Sequence, residues 1–177
     1  VSREKVRVLG IDPGTSVTGW GVVERAGTTF RRVASGLVEL PSRLSLGERL
    51  RRIRDAVESL CQVHSPIAVA LEKAFVAHNV QSAFRLGEAR GAVLIAAAEA
   101  GLPVFEYAPA HVKVTVVGYG RADKQQMVRG VALRLGVPQA ERPDEADALA
   151  LALCHLIGAR LRVHVEAASR RRGGAIP

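Results

Sequence analysis

The amino-acid sequence predicts an α/β protein with a mixed central sheet flanked by helices. Three observations carry this reading. Three strand-like runs come first, joined by short glycine-containing turns, and after them helices and strands alternate. The fourth strand-like run, Ile67 to Leu71, is apolar at every position, as a central strand covered on both faces must be.

The first strand, residues 6–11, runs into Asp12-Pro13-Gly14, a turn signal that leaves the acid at the strand's carboxyl end. Strands over residues 19–24 and 30–40 complete an antiparallel meander. A helix starts after Ser45, which makes a capping box with Glu48. Along it Leu46, Leu50, Ile53, Val57 and Leu60 keep one apolar stripe, while Arg49, Arg51, Arg52 and Arg54 make the other face cationic. The apolar fourth strand ends in Glu72. A long helix over residues 79–100, a strand over 104–107 and two or three further helices finish the chain. Gly87 and Gly91, four apart on the long helix, let another backbone approach closely, whether this chain's own sheet or a second subunit. Gly118 and Gly120 form a mobile loop before a helix capped by Asp123 and Gln126. No internal repeat or linker is visible.

Composition bounds the function. A chain of 177 residues, 48% of them hydrophobic, makes one domain with a proper core. A net charge of +8 points to an acidic polymer as partner, because lysine and arginine gain affinity by displacing the counterions of a phosphate backbone. Cys61 and Cys154 both lie in apolar helical patterns, which indicates neither a disulfide framework nor a zinc site, so a reducing cytoplasm is the simplest setting. No run approaches the roughly 18 apolar residues of a membrane span, and Arg3, Glu4 and Lys5 leave no signal-peptide core. The five histidines, His64, His78, His111, His155 and His164, show no metal-ligand spacing.

The chemistry rests on four carboxylates. Asp12 and Glu72 each close a strand-like run, and in sheets of this class ligands sit outside the carboxyl ends of the strands. Asp144 and Asp147 are three apart at the start of a strong helix former and share one face of its first turn. Singly, Asp12 reads as a turn residue and Asp144 as a helix cap. Together they are four anions converging on one point, which would be driven to protonate unless a hard cation with oxygen ligands compensated them. Mg2+ or Mn2+ fits best. Two such ions roughly 3.5–4 Å apart activate a water and stabilise the leaving oxygen in an in-line attack on a phosphodiester.

Two lysines and one aromatic extend the site. Lys113 and Lys124 flank the glycine loop, and Lys124 opens a helix, where the dipole disfavours a cation and a phosphate would compensate it. The plainer reading of both is solvated surface lysine. Phe75, on the loop three residues past Glu72, either stacks on an unpaired base or staples the helix that follows.

These motifs carry a resemblance. Gly10-Ile11-Asp12-Pro13-Gly14, Thr18-Gly19-Trp20-Gly21-Val22, Glu72-Lys73-Ala74-Phe75 leading into Ser82 through Val93, the stretch Lys113 to Lys124, and Pro143 through Ala150 are together similar to the RuvC-type Holliday junction resolvases. The similarity runs in order from about Gly10 to about His155. It implies a ribonuclease H-like fold, assigned to residues 1–165, while residues 166–177, basic and poor in core-forming side chains, read from their composition as a flexible tail. It implies metal-binding catalytic acids at Asp12, Glu72, Asp144 and Asp147, with Lys113 and Lys124 near the scissile phosphate. Phe75, Lys113, Arg121 and Lys124 would contact DNA, with Phe75 probing the junction centre. The implied activity is paired, metal-dependent nicking of four-way junction DNA by a homodimer that works with a branch-migration motor. Val114 departs from the polar residue that often follows the first lysine in this family, which removes any polar role there. Two rivals differ in class: a junction-binding protein without catalysis, and a fragment of an actin or sugar-kinase phosphotransferase, whose first phosphate loop Gly10 to Thr15 also resembles.

Overall fold

A computed structural model describes residues 5–73, 80–140 and 142–173, with side chains as far as residue 159. Five strands form one sheet in the order β3-β2-β1-β4-β5: β1 (Lys5–Asp12), β2 (Val17–Ala26), β3 (Thr29–Glu39), β4 (Ala68–Glu72) and β5 (Val104–Tyr107). β1, β2 and β3 are antiparallel neighbours, while β4 pairs parallel to both β1 and β5. The sheet is therefore mixed, and its meander and parallel half follow the order in which the strand patterns occur along the chain.

Helices α1 (Leu46–His64) and α2 (Val80–Glu99) cover one face; α3 (Pro109–Val117), α4 (Lys124–Leu135) and α5 (Pro143–Gly173) cover the other. Both capping boxes form. The Ser45 hydroxyl accepts from the Glu48 amide while the Glu48 carboxylate accepts from the Ser45 amide, and Asp123 and Gln126 do the same for α4. Gly118 ends α3 at φ 81°, a left-handed conformation that strains any residue with a Cβ. α5 continues as helix through Gly173, into the segment whose composition reads as a tail.

The two-residue period of the strands decides which face each side chain meets. Leu9, Ile11, Val22, Val69 and Leu71 join the α1/α2 core, and Val8, Val23 and Ala70 join the core under α3, α4 and α5. Asp12 follows Val8 and Gly10 in that alternation, and Glu72 follows Ala68 and Ala70. Both acids consequently point to the α5 side. The parallel register pairs Ile11 with Leu71, so Asp12 and Glu72 each lie one residue beyond a matched pair.

On that side α5 lies directly on the sheet. A Cβ on Gly10 would overlap the carbonyl oxygen of Ala148, one on Gly19 would overlap the carbonyl oxygen of Asp144, and one on Gly21 would come within 2.6 Å of the Leu149 side chain. Glycine at these three positions lets helix backbone meet strand backbone. The start of α5 is also tied to the sheet's edge, where the Ser35 hydroxyl donates to the Glu145 carboxylate at 2.5 Å and Arg32 lies 3.7 Å from the same group. On α2, by contrast, a Cβ on Gly87 or Gly91 would meet nothing within 4 Å. These two glycines lie on an open surface, not against the chain's own sheet.

Gly10→Ala is expected to lower stability by at least about 2 kcal/mol, the upper range for overpacking, because the obstacle is backbone that cannot rotate away. Gly158→Ala, on α5 with nothing within 4 Å of the added carbon, should instead gain about 0.5–1 kcal/mol. Urea denaturation reads both. An unchanged midpoint in Gly10→Ala would show that the close approach is not required.

Candidate active site

Asp12 from the end of β1, Glu72 from the end of β4 and Asp144 and Asp147 from the first turn of α5 all line one cleft of about 380 Å³. Lys113 from α3 and Lys124, the first residue of α4, line it too, and Pro109, Val112, Met127, Ala150 and Leu151 supply apolar walls. The four acids and two lysines singled out in the sequence are thus neighbours in space. Three structural causes bring them together: strand parity aims Asp12 and Glu72 at α5, the glycine contact brings α5 down onto them, and the Asp123 cap starts α4 at Lys124.

The acids feel one another. Burial pushes the Asp12 carboxyl up to about 7 from an ordinary 3.8, with further rises from Asp147, Glu72 and Asp144 and a partial offset from Lys124. Glu72 is raised by burial and by Asp147 and lowered by Arg90 and Lys113; Asp147 is raised by burial and Asp144 and lowered by Lys124 and Lys113. The two lysines therefore face the carboxylates from the opposite wall, but they do not cancel the repulsion. An all-oxygen, anionic donor set suits a hard dication. Among the described residues no three Asp, Glu, His or Cys side chains already form a closed metal-holding group. The acids share a cleft, and seating an ion in it requires rotation of these side chains.

A further residue at the site was not apparent from pattern reading. Arg90 on α2 is only 8% exposed; its Nη1 donates to the carbonyl oxygen of Glu72 and its Nη2 to the carboxylate of Glu106 on β5. It pins the end of β4, from which Glu72 projects, to the neighbouring strand. The one signal in the sequence is a charge on the buried face of α2, among Ala89, Ala92 and Val93. Helical periodicity alone treats such a position as an exception.

Other residues fall elsewhere. Arg121 is exposed on the turn between α3 and α4 and does not line the cleft. Val114 is exposed on α3. Phe75 and His78 lie outside the described residues, as does the side chain of His164. His155 is buried on α5 with its Nδ1 2.8 Å from the Tyr107 hydroxyl, and the His111 ring stacks on Tyr107 with centroids 6.0 Å apart. Neither histidine lines the cleft. Cys61 and Cys154 are free and buried, and no helix among the described residues is long and apolar enough to cross a membrane.

With this geometry in place, comparison with known proteins is specific. Residues 8–155 match the family profile described as Crossover junction endodeoxyribonuclease RuvC. A protein of that name from Halorhodospira halophila is 53% identical over 152 residues, spanning 84% of this chain and 89% of its own length. Its counterpart from Chloroflexus aggregans is 46% identical over 151 residues, spanning 85% and 92%. The structure of Thermus thermophilus RuvC in complex with Holliday junction substrate superposes with a TM-score of 0.83 at 39% identity, covering 88% of this chain and 96% of that one. The mixed sheet with its flanking helices is the ribonuclease H-like fold of those resolvases.

The raised Asp12 carboxyl fixes the sign of a pH effect. Its folded value of about 7 exceeds the ordinary 3.8, so the folded state holds the extra proton between these limits. Stability from this group falls as pH rises through that window and stays low above it. In chelator, the melting temperature should be higher at pH 5.5 than at pH 8, with about 2 kcal/mol at stake. Asp12→Asn should flatten that difference, and Mg2+ at pH 8 should raise the melting temperature of the unsubstituted protein far more than that of the variant. Melting curves that ignore both pH and Mg2+ would contradict the electrostatic description of the cleft.

Proposed function

The chain belongs to the RuvC family of crossover junction endodeoxyribonucleases, and from that premise we propose how its own residues carry out the reaction. The chain is a nuclease that resolves Holliday junctions, and its family depends on divalent metal. The observation that carries the assignment of residues is the single cleft lined by Asp12, Glu72, Asp144, Asp147, Lys113 and Lys124.

The four carboxylates would hold two divalent ions, Mg2+ or Mn2+. Bound there, such ions supply an activated water and charge neutralisation at the leaving oxygen. Asp12, whose carboxyl is the most strongly raised of the acids, would be one ligand, and Glu72, Asp144 and Asp147 would complete the set. Lys113 and Lys124 orient the phosphodiester and offset negative charge that grows in the transition state, from positions already turned toward the acids. The exposed amides at the start of α4 add to the grip of Lys124 on phosphate. The apolar walls around Val112, Met127 and Leu151 strengthen each of these interactions by excluding water. No covalent enzyme intermediate is needed.

Arg121, which lies outside the cleft, contacts the DNA backbone, and Phe75 stacks on an unpaired base at the junction centre. The working unit is a homodimer, because two symmetric nicks call for two active sites related by a two-fold axis. The open face of α2 supports this: Phe84 and Ile95 are exposed there, and the added carbons at Gly87 and Gly91 meet nothing. Residues 1–165 make up the nuclease unit and residues 166–177 a basic appendage. A branch-migration motor that delivers the junction is the expected partner, and the cytoplasm the expected compartment.

A nicking assay on a synthetic four-way junction tests this directly. Asp12→Asn should abolish symmetric nicking while binding the junction as well as or better than the unsubstituted protein, since it removes one ligand and one negative charge beside DNA. Lys124→Ala should slow the nicking step by about 100-fold, the scale of losing one preorganised electrostatic contact. Persistent nicking by Asp12→Asn, or equal cutting of linear duplex, would refute the proposal.

A further inference from the structure

A second cationic feature lies on the other side of the turn that follows Asp12. There Gly14 and Thr15, Arg49 of α1 and Arg85 of α2 line a recess of about 20 Å³ with leucine and isoleucine walls. Arg49 Nη1 donates to the Thr15 carbonyl oxygen at 3.2 Å, but its Nε is buried with no partner. Among the described residues no carboxylate lines the recess and neither arginine is paired with an acid. Every other guanidinium donor bonded in this part of α1 has an anionic partner: Arg54 is shared among Asp55, Glu58 and Glu99.

A buried guanidinium N–H without an acceptor is costly, and two uncompensated arginines at one recess select an anion. The volume admits an oxygen-sized atom and little more. The fitting ligand therefore inserts a single oxygen and keeps its bulk outside, as a phosphodiester does. Its second non-bridging oxygen remains available to Arg85 in the forked geometry guanidinium favours.

We propose that Arg49 and Arg85 form a phosphate-binding site that seats a backbone phosphate of the bound DNA beside the catalytic cleft. This rests on the junction-DNA reading above. Gly14 is two residues from Asp12, at most about 7 Å along the chain, so the recess lies close to the strand end that carries Asp12. The site thus grips the strand a short step from the bond to be cut, and sets its register against the acids. Arg49 has a double part, since it also braces the turn that Asp12 enters.

The test uses the full chain in an Asp12→Asn background, so that binding is read without cleavage, and titrates a synthetic four-way junction at several salt concentrations. Arg85→Ala and Arg49→Gln should each weaken binding about tenfold near 100 mM salt and reduce the slope of log affinity against log salt by about 0.9, the loss of one phosphate contact. Arg85→Lys should recover part of the slope. Arg85→Ala is exposed and does not threaten folding, so its unchanged affinity and slope would overturn the proposal, as would a lowered melting temperature in Arg49→Gln with Arg85→Ala silent, which would leave Arg49 a brace only. A parent protein that fails to bind the junction would instead overturn the reading on which the site rests.

Discussion

The contact on which the site depends is backbone on backbone, between the first turns of α5 and the strands β1 and β2. Side chains at positions 10, 19 or 21 would hold α5 away from the sheet, since the obstacles are the carbonyls of Ala148 and Asp144 and the body of Leu149. With glycine there, the helix drops into place and carries Asp144 and Asp147 toward Asp12. Hydrophobic burial beneath α5, from Leu149, Leu151, Leu153 and Leu156, provides the force, and the Ser35 and Arg32 contacts to Glu145 fix its starting point. The helix that completes the core therefore also assembles the acids.

That assembly leaves a conflict in the folded state. Burial in a partly apolar cleft, together with neighbouring carboxylates, raises the proton affinity of Asp12, Glu72 and Asp147, most of all that of Asp12. Arg90, Lys113 and Lys124 moderate the conflict without cancelling it, and on the proposed reading a dication would resolve it. Folding stability and catalytic competence are opposed at this point, as is usual where function requires charges that the core would exclude. On the proposed reading, the same cleft that weakens the metal-free fold would give a bound ion its affinity.

Much of this was legible in the sequence because it is local. Short apolar runs located β1 and β4, and with them the end positions of Asp12 and Glu72. The capping residues Ser45, Glu48, Asp123 and Gln126 marked helix starts that the structure reproduces. What was not legible is tertiary. Nothing in the pattern around Gly10, Gly19 and Gly21 says that a helix some 120 residues later fits against them. Arg90 has the same character: a charge on a buried helical face is an anomaly until Glu72 and Glu106 are seen beside it. Gly87 and Gly91 were ambiguous, since their spacing suited either the chain's own sheet or a second subunit, and the structure leaves them away from the sheet. Phase along a helix or strand is written in the sequence, whereas which two surfaces meet depends on the whole fold.

The central claim is that side chains distant along the chain share divalent ions in the cleft between β1, β4 and α5. Anomalous diffraction from crystals soaked in Mn2+ measures this most directly. The account predicts Mn2+ peaks within about 2.0–2.6 Å of oxygens from Asp12 and from at least one residue of α5, and their loss in Asp12→Asn. A cleft without peaks at saturating Mn2+, or ions held only by residues outside it, would contradict the account.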